Sequence, residues 1–99
     1  MAQTSTLEVV QCGHHILELR GELCIASLRR ITDALARIDG PVTMYVAGLR
    51  FMDSTGLRII VKRLEVGPVT LLDVQPQVAR LLQITGLDHA DGLEIHVAT

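Results

Sequence analysis

Apolar and polar positions along the chain switch between two periods. Leu7-Glu8-Val9-Val10 opens a strand, and Ile16-Leu17-Glu18-Leu19-Arg20 alternates apolar with polar, the mark of a strand with one buried face. Gly13-His14 between them reads as a turn, so the pair forms a hairpin. Gly21-Glu22-Leu23-Cys24 then leaves the second strand as a loop. Leu28, Ile31, Leu35 and Ile38, with Ala34, fall at helical spacing. Ser27 is the expected N-cap, its hydroxyl accepting from amides of the first turn. Arg29, Arg30, Asp33 and Arg37 fall off the stripe and are expected to face water. Gly40-Pro41 stops the helix.

Val42–Ala47 is a third strand, read as central and buried, and 49–53 as the loop that follows it. From Ser54 the period becomes helical, with Leu57, Ile60, Val61 and Leu64 on the apolar face and Arg58, Lys62 and Arg63 off it. After Gly67-Pro68, Val69–Leu72 is a fourth strand. Pro76 suits the first turn of a third helix, where its missing N–H has no partner to lose. Val78, Leu81 and Leu82 form that helix's apolar face, Thr85-Gly86 ends it, and Leu87 folds back past the cap. Leu93–Val97 alternates again, a final strand near an edge. The order β-β-α-β-α-β-α-β predicts an α/β fold: a mixed, mostly parallel sheet with right-handed crossovers and helices packed on it.

Composition narrows the function classes. The chain has 99 residues, the size of one domain spanning residues 1–99, with a polar start, Met1–Thr6, expected to fray. It is 48% hydrophobic with one Phe, one Tyr and no Trp, so Leu, Ile and Val must build the core, a palette suited to strands buried on both faces. A net charge of −2 without a basic block, and the lack of stacking rings, argue against nucleic acid. No apolar run approaches the roughly 20 residues that span a bilayer, and no signal peptide opens the chain, so a cytoplasmic protein without membrane contact is expected. Cys12 and Cys24 flank an extended strand, too far apart for a disulfide. The four histidines, His14, His15, His89 and His96, show no metal-ligand spacing with them, so neither metal nor cofactor is expected.

The chemistry concentrates at Asp53-Ser54-Thr55-Gly56, a strand-to-helix junction at the carboxyl end of a strand, where α/β sheets place binding sites. Helix N-termini attract anions. A phosphate on Ser54 would add about −1.5 to −2 charges, and Arg58, one turn on, is positioned to pair with it. Gly56 has no side chain, which either lets a partner's backbone approach or lets the helix pack on the strand. The simpler reading makes Asp53 or Ser54 an N-cap, worth roughly 1 kcal/mol. A nucleophilic Ser54 lacks the first glycine of a nucleophile elbow, and nothing places a histidine beside it. A phosphate-binding P-loop is excluded, because no Gly-Lys-Ser/Thr follows a glycine-rich loop.

Phe51-Met52-Asp53-Ser54-Thr55-Gly56-Leu57 resembles the signature of STAS domains, specifically bacterial anti-sigma-factor antagonists. Ile16–Leu23 resembles the family's second strand and Gly-Glu-Leu turn, Val69–Val74 its fourth strand, and 75–87 its third helix with the Thr/Ser-Gly-Leu ending. The resemblance implies a non-enzymatic partner switch. The unphosphorylated antagonist binds an anti-sigma factor that is also a serine kinase, freeing the sigma factor for transcription. The kinase then phosphorylates the serine after the Asp, here Ser54, with Thr55 as a possible second site, and a serine phosphatase resets it. ATP belongs to the kinase. The implied partner-binding residues are Gly21, Glu22, Leu23 and Cys24 with Met52, Asp53, Ser54, Thr55, Gly56, Leu57 and Arg58. The alternative is a constitutive STAS scaffold, such as an accessory subunit of a lipid-transport ATPase, without a phospho-switch. Two positions depart from the family pattern: Cys24 stands where Asp usually follows Gly-Glu-Leu, and Tyr45 where Asp or Asn often precedes the motif. In the family both positions lie near the phosphorylated serine.

Overall fold

The computed structural model describes residues 6–98; of the polar start expected to fray, residues 1–5 lie outside the described residues, as does Thr99, whereas Thr6 is held by its carbonyl, which accepts from the Glu22 N–H (2.7 Å). Five strands and three α-helices follow in the anticipated order: β1 Leu7–Gly13, β2 Ile16–Leu23, α1 Leu28–Ala36, β3 Val42–Met52, α2 Ser54–Leu64, β4 Val69–Val74, α3 Pro76–Ile84 and β5 Leu93–Val97. The strands lie side by side in chain order. β1 and β2 form an antiparallel hairpin, and every later neighbour pairs in parallel. β5 is an edge, as its alternation suggests.

That simple order decides where the core sits. Each β-α-β crossover steps one strand over in the same direction. A common right hand therefore lays all three helices on one face of the sheet. Leu17, Met44 and Leu71 stand in register on that face and are buried. Their neighbours Glu18, Tyr45 and Leu72 form the next row on the opposite face, where Tyr45 is 41% exposed. The expectation of central strands buried on both faces is thus corrected: β3 is central, yet only one of its faces is covered.

Two expected loops are strand. β2 runs on through Gly21-Glu22-Leu23, and β3 through Leu49 to Met52, because the two pair as far as Leu23↔Met52. β3 absorbs extra residues at register shifts opposite Glu18/Arg20 and Gly21/Glu22. These irregularities hide the alternation that would have marked the strand. β4 likewise extends to Val74, through a shift in which Asp73 adopts φ +59°.

The helices show two displaced stripes. A 3₁₀ turn at Ile25–Ser27 precedes α1, so Leu28 starts the helix at the surface while Ile31 and Leu35 go inward. Ser27 does not cap forward. Its Oγ accepts from the Cys24 N–H (3.0 Å) and reaches the carbonyls of Glu22 and Cys24 (both 3.0 Å), fixing the exit from β2. On α2 the buried residues are Gly56, Ile59, Ile60 and Arg63, one position off the expected stripe, and Val61 is exposed.

Arg63 explains the shift. Its guanidinium is buried and donates to the carbonyls of Leu35 (2.9 Å), Ile38 (2.7 Å) and Gly40 (2.8 Å). These carbonyls lie at and just past the C-terminal end of α1, where partial negative charge gathers, and the Leu35 carbonyl also accepts from the Ile38 N–H (3.0 Å). A side chain on α2 therefore caps α1. No helix among the described residues is long and apolar enough to cross a membrane.

Candidate functional site

The Asp53–Gly56 corner is built by three local choices. β3 ends at Met52, where the Asp53 N–H still donates to the Leu23 carbonyl (3.2 Å) and so pins the corner to the end of β2. The Asp53 side chain then turns back as the N-cap of α2. Its Oδ1 accepts from the N–H groups of Thr55 (2.9 Å) and Gly56 (3.3 Å). Gly56 sits where α2 crosses β2 and β3: a Cβ there would lie 2.5 Å from Met52 Cγ and 3.1 Å from the Leu23 carbonyl oxygen. Only glycine lets the helix start so close to the strands. The packing role, and not an opening for a partner's backbone, is the one that the Gly56 environment supports.

Of the two candidate caps, then, Asp53 is the cap and Ser54 is left over. Ser54 is exposed on the first turn, and its hydroxyl has no hydrogen-bond partner among the described residues. Thr55 is half-buried. Arg58 is exposed one turn on and is likewise without a partner among the described residues. The remaining candidates divide by depth. Leu23, Met52 and Gly56 are buried and hold the corner up, whereas Glu22 is exposed and Gly21, Cys24 and Leu57 are half-buried. Gly21 has φ +109°, and a Cβ on it would meet the Thr6 carbonyl oxygen at 2.2 Å, so its place is a backbone requirement.

Cys24 follows Leu23, the partner of Met52, and so sits beside the corner. It is a free, half-buried thiol. Tyr45 does not sit there. Between Glu18↔Tyr45 and Leu23↔Met52 the register on β2 advances from 18 to 23, which puts Tyr45 roughly 17 Å from Met52 at about 3.3 Å per residue. It lies mid-sheet on the open face. Among the described residues no three His, Cys, Asp or Glu side chains gather as metal ligands.

Two surface residues at this end escaped the sequence reading. Ile25, just beyond Cys24, is 70% exposed, and Phe51, paired with Glu22 on the open face, is 48% exposed. Both are exposed apolar side chains at the end of the sheet that carries the corner. Their signal was present: Phe51 precedes a buried Met52 and must point to the other face of the strand.

A family model for the STAS domain matches residues 6–98. The chain belongs to the STAS domain family. This STAS domain also resembles solved structures. One is an anti-sigma factor antagonist from Mycobacterium paratuberculosis, with TM-score 0.71 and 17% identity over 95% of this chain and 90% of the other. Another is the anti-sigma factor antagonist SpoIIAA in its unphosphorylated form, with TM-score 0.67 and 20% identity over 90% of this chain and 86% of the other. At these identities the likeness is one of fold. Curated protein sequences return no match.

Proposed function

We propose that this STAS domain is an anti-sigma-factor antagonist whose binding to a serine-kinase anti-sigma factor is released by phosphorylation of Ser54. The observation that carries the reading is the division of labour at the corner. Asp53 caps α2, so the Ser54 hydroxyl is exposed and has no structural duty. A kinase can reach it, and its modification leaves the cap in place. The fold shared with two anti-sigma factor antagonists supports the same reading.

The electrostatics make the change decisive. The Thr55 and Gly56 amides, which a helix N-terminus would offer a phosphate, are already taken by Asp53. A phosphate on Ser54 therefore projects outward beside the Asp53 carboxylate, with only Arg58 within a turn. In a complex, that dianion would be buried against the partner without full compensation. The penalty is several kcal/mol, where about 1.4 kcal/mol is tenfold in affinity. The unmodified hydroxyl carries no such penalty. Ile25 and Phe51 supply apolar area for the docked state. The chain acts as substrate and binding module: ATP is the kinase's, and a serine phosphatase restores the binding form.

The test incubates the domain with its cognate kinase and ATP and compares the affinities of wild type, Ser54→Ala and Ser54→Asp. Ser54→Ala is expected to bind and to resist release, and Ser54→Asp to bind at least about tenfold more weakly. Equal binding by Ser54→Asp, or co-purification with a membrane-transport ATPase in place of a kinase, contradicts the reading.

A further inference from the structure

The outer edge of β5 lies open. Among the described residues β5 pairs only with β4. Along a strand, a residue's N–H and C=O point to the same side and successive residues alternate. The Gly92 carbonyl accepts from the Val69 N–H (2.8 Å), and the Ala98 N–H donates to the Val74 carbonyl (2.9 Å), so the even-numbered residues face β4. Leu93, Ile95 and Val97 therefore turn their backbone groups outward. The Leu93 N–H is taken by the Ala90 carbonyl (3.2 Å). The Leu93 carbonyl, and both groups of Ile95 and of Val97, have no partner among the described residues. Nothing blunts this edge. Leu93–Val97 holds no Lys and no Pro, and the register shift beside it puts the extra residue on β4 and leaves β5 regular.

The side chains of the edge complement themselves. Leu93, Ile95 and Val97 stand in register with Val69, Leu71 and Val74 on the helix face. Glu94 and His96 share the open face, where the carboxylate of one hydrogen-bonds the ring of the other. Val97 is exposed and, with the exposed Ile84, lines a cleft of about 540 Å³ between β5 and α3.

We propose that the outer edge of β5 docks a second copy of this chain, strand antiparallel to strand, with Ile95 on the twofold axis. Charge decides the register. Outward-facing residues pair only with outward-facing residues, so the possible registers differ by whole pleats. Centring the pair on Glu94 opposes two carboxylates, which is destabilising. Centring it on His96 opposes two imidazoles and leaves Glu94 facing Ala98. Centring it on Ile95 sets each Glu94 against the His96 of the second copy, an acceptor opposite a donor, at the closely spaced positions of the ladder. The same register joins Leu93 to Val97 and Ile95 to its own copy on the helix face, which covers the exposed Val97. The Ile95 residues exchange both their backbone bonds, and each Val97 N–H reaches the Leu93 carbonyl of the second copy. The contact is isologous and closed, so it stops at a dimer. It takes no residue of the Asp53–Gly56 corner, and the strands of the two copies run in opposite directions. The dimer therefore presents one Ser54 at each end.

Sedimentation equilibrium of the whole chain, from micromolar to millimolar concentration, tests this and is expected to show a monomer–dimer equilibrium. Ile95→Pro deletes an outward N–H that the β4 ladder does not use, so it should abolish the dimer and keep the fold, checked by a thermal melt. His96→Glu sets carboxylates against each other across the seam, and Glu94→Lys removes the acceptor; each should weaken the dimer about tenfold. Mixed together, those two variants should pair again, because the introduced lysine then opposes the introduced glutamate while the remaining Glu94 meets the remaining His96. Amide exchange at Ile95 and Val97 should slow as concentration rises. Tyr45→Glu, on the open face, should change nothing. Should the proline variant fail to fold, the mixing experiment decides. The proposal is overturned if the chain stays monomeric at millimolar concentration, if a folded Ile95→Pro dimerises as wild type does, if mixing the charge variants restores nothing, or if Tyr45→Glu abolishes the dimer.

Discussion

Replacing Arg63 with Met keeps the unbranched stem and most of the volume of the side chain and deletes its donors. In wild type those donors satisfy the Leu35, Ile38 and Gly40 carbonyls at 2.9, 2.7 and 2.8 Å. A hydrogen bond from a charged donor is worth about 1.5–3 kcal/mol, and a buried acceptor left unpaired costs about 1–3 kcal/mol. Removing the cation also removes the cost of burying it, which offsets part of the loss. The net expectation is a destabilisation of about 2–4 kcal/mol, a large share of the roughly 5–15 kcal/mol that holds a domain together. Urea unfolding followed by circular dichroism reads it as a lower midpoint at unchanged slope. The same loss lowers Tm by roughly 8–30 °C for a chain of this size. Arg63→Lys should fall between the two, because an ammonium cannot fork across the three carbonyls. If Arg63→Met unfolds within about 0.5 kcal/mol of wild type, the range typical of inert surface changes, the cross-helix cap contributes nothing and the account of α2 docking is wrong.

Gly56→Ala should lose about 1–3 kcal/mol to overpacking against Met52 and Leu23, despite alanine's better helix propensity, and in a double-mutant cycle that loss should be smaller in a Met52→Ala background, read by the same urea assay. Asp53→Ala should lose about 1 kcal/mol as the cap disappears, whereas Asp53→Asn, which still accepts from the Thr55 and Gly56 amides, should lose much less. Asp73→Gly should be tolerated and Asp73→Val destabilising by about 1–2 kcal/mol, since φ +59° suits glycine and strains a β-branched residue; thermal melts separate the pair.

Element order and type were legible because the turn signals are strong and the helical stripes long. Gly40-Pro41, Gly67-Pro68 and Thr85-Gly86 each mark a real boundary. What periodicity could not show was depth. Arg63 looks like a surface residue by type, and reading it so moved the α2 stripe by one position, putting Val61 inside and Ile59 out. Only tertiary context, the open end of α1, makes burial of a guanidinium favourable there. The bulges of β3 broke its alternation and disguised strand as loop. The one-sided sheet is a property of strand order, which no local window contains. At the site, the junction itself was readable from Asp53-Ser54-Thr55-Gly56. The sequence left open whether Asp53 or Ser54 is the cap, and the geometry assigns it to Asp53. Tyr45 was expected beside the motif from the family resemblance; the register carries it to mid-sheet.

The central claim is that Ser54 is a modified switch and not a spare hydroxyl. Intact-mass analysis of the protein from its native cell, with the modified residue mapped by peptide fragmentation, tests it most directly. The account predicts a single phosphate, located on Ser54, on a fraction of the protein that is absent from the kinase-bound pool. A Ser54 that is never modified, or a phosphorylated form found bound as fully as the unmodified one, contradicts it.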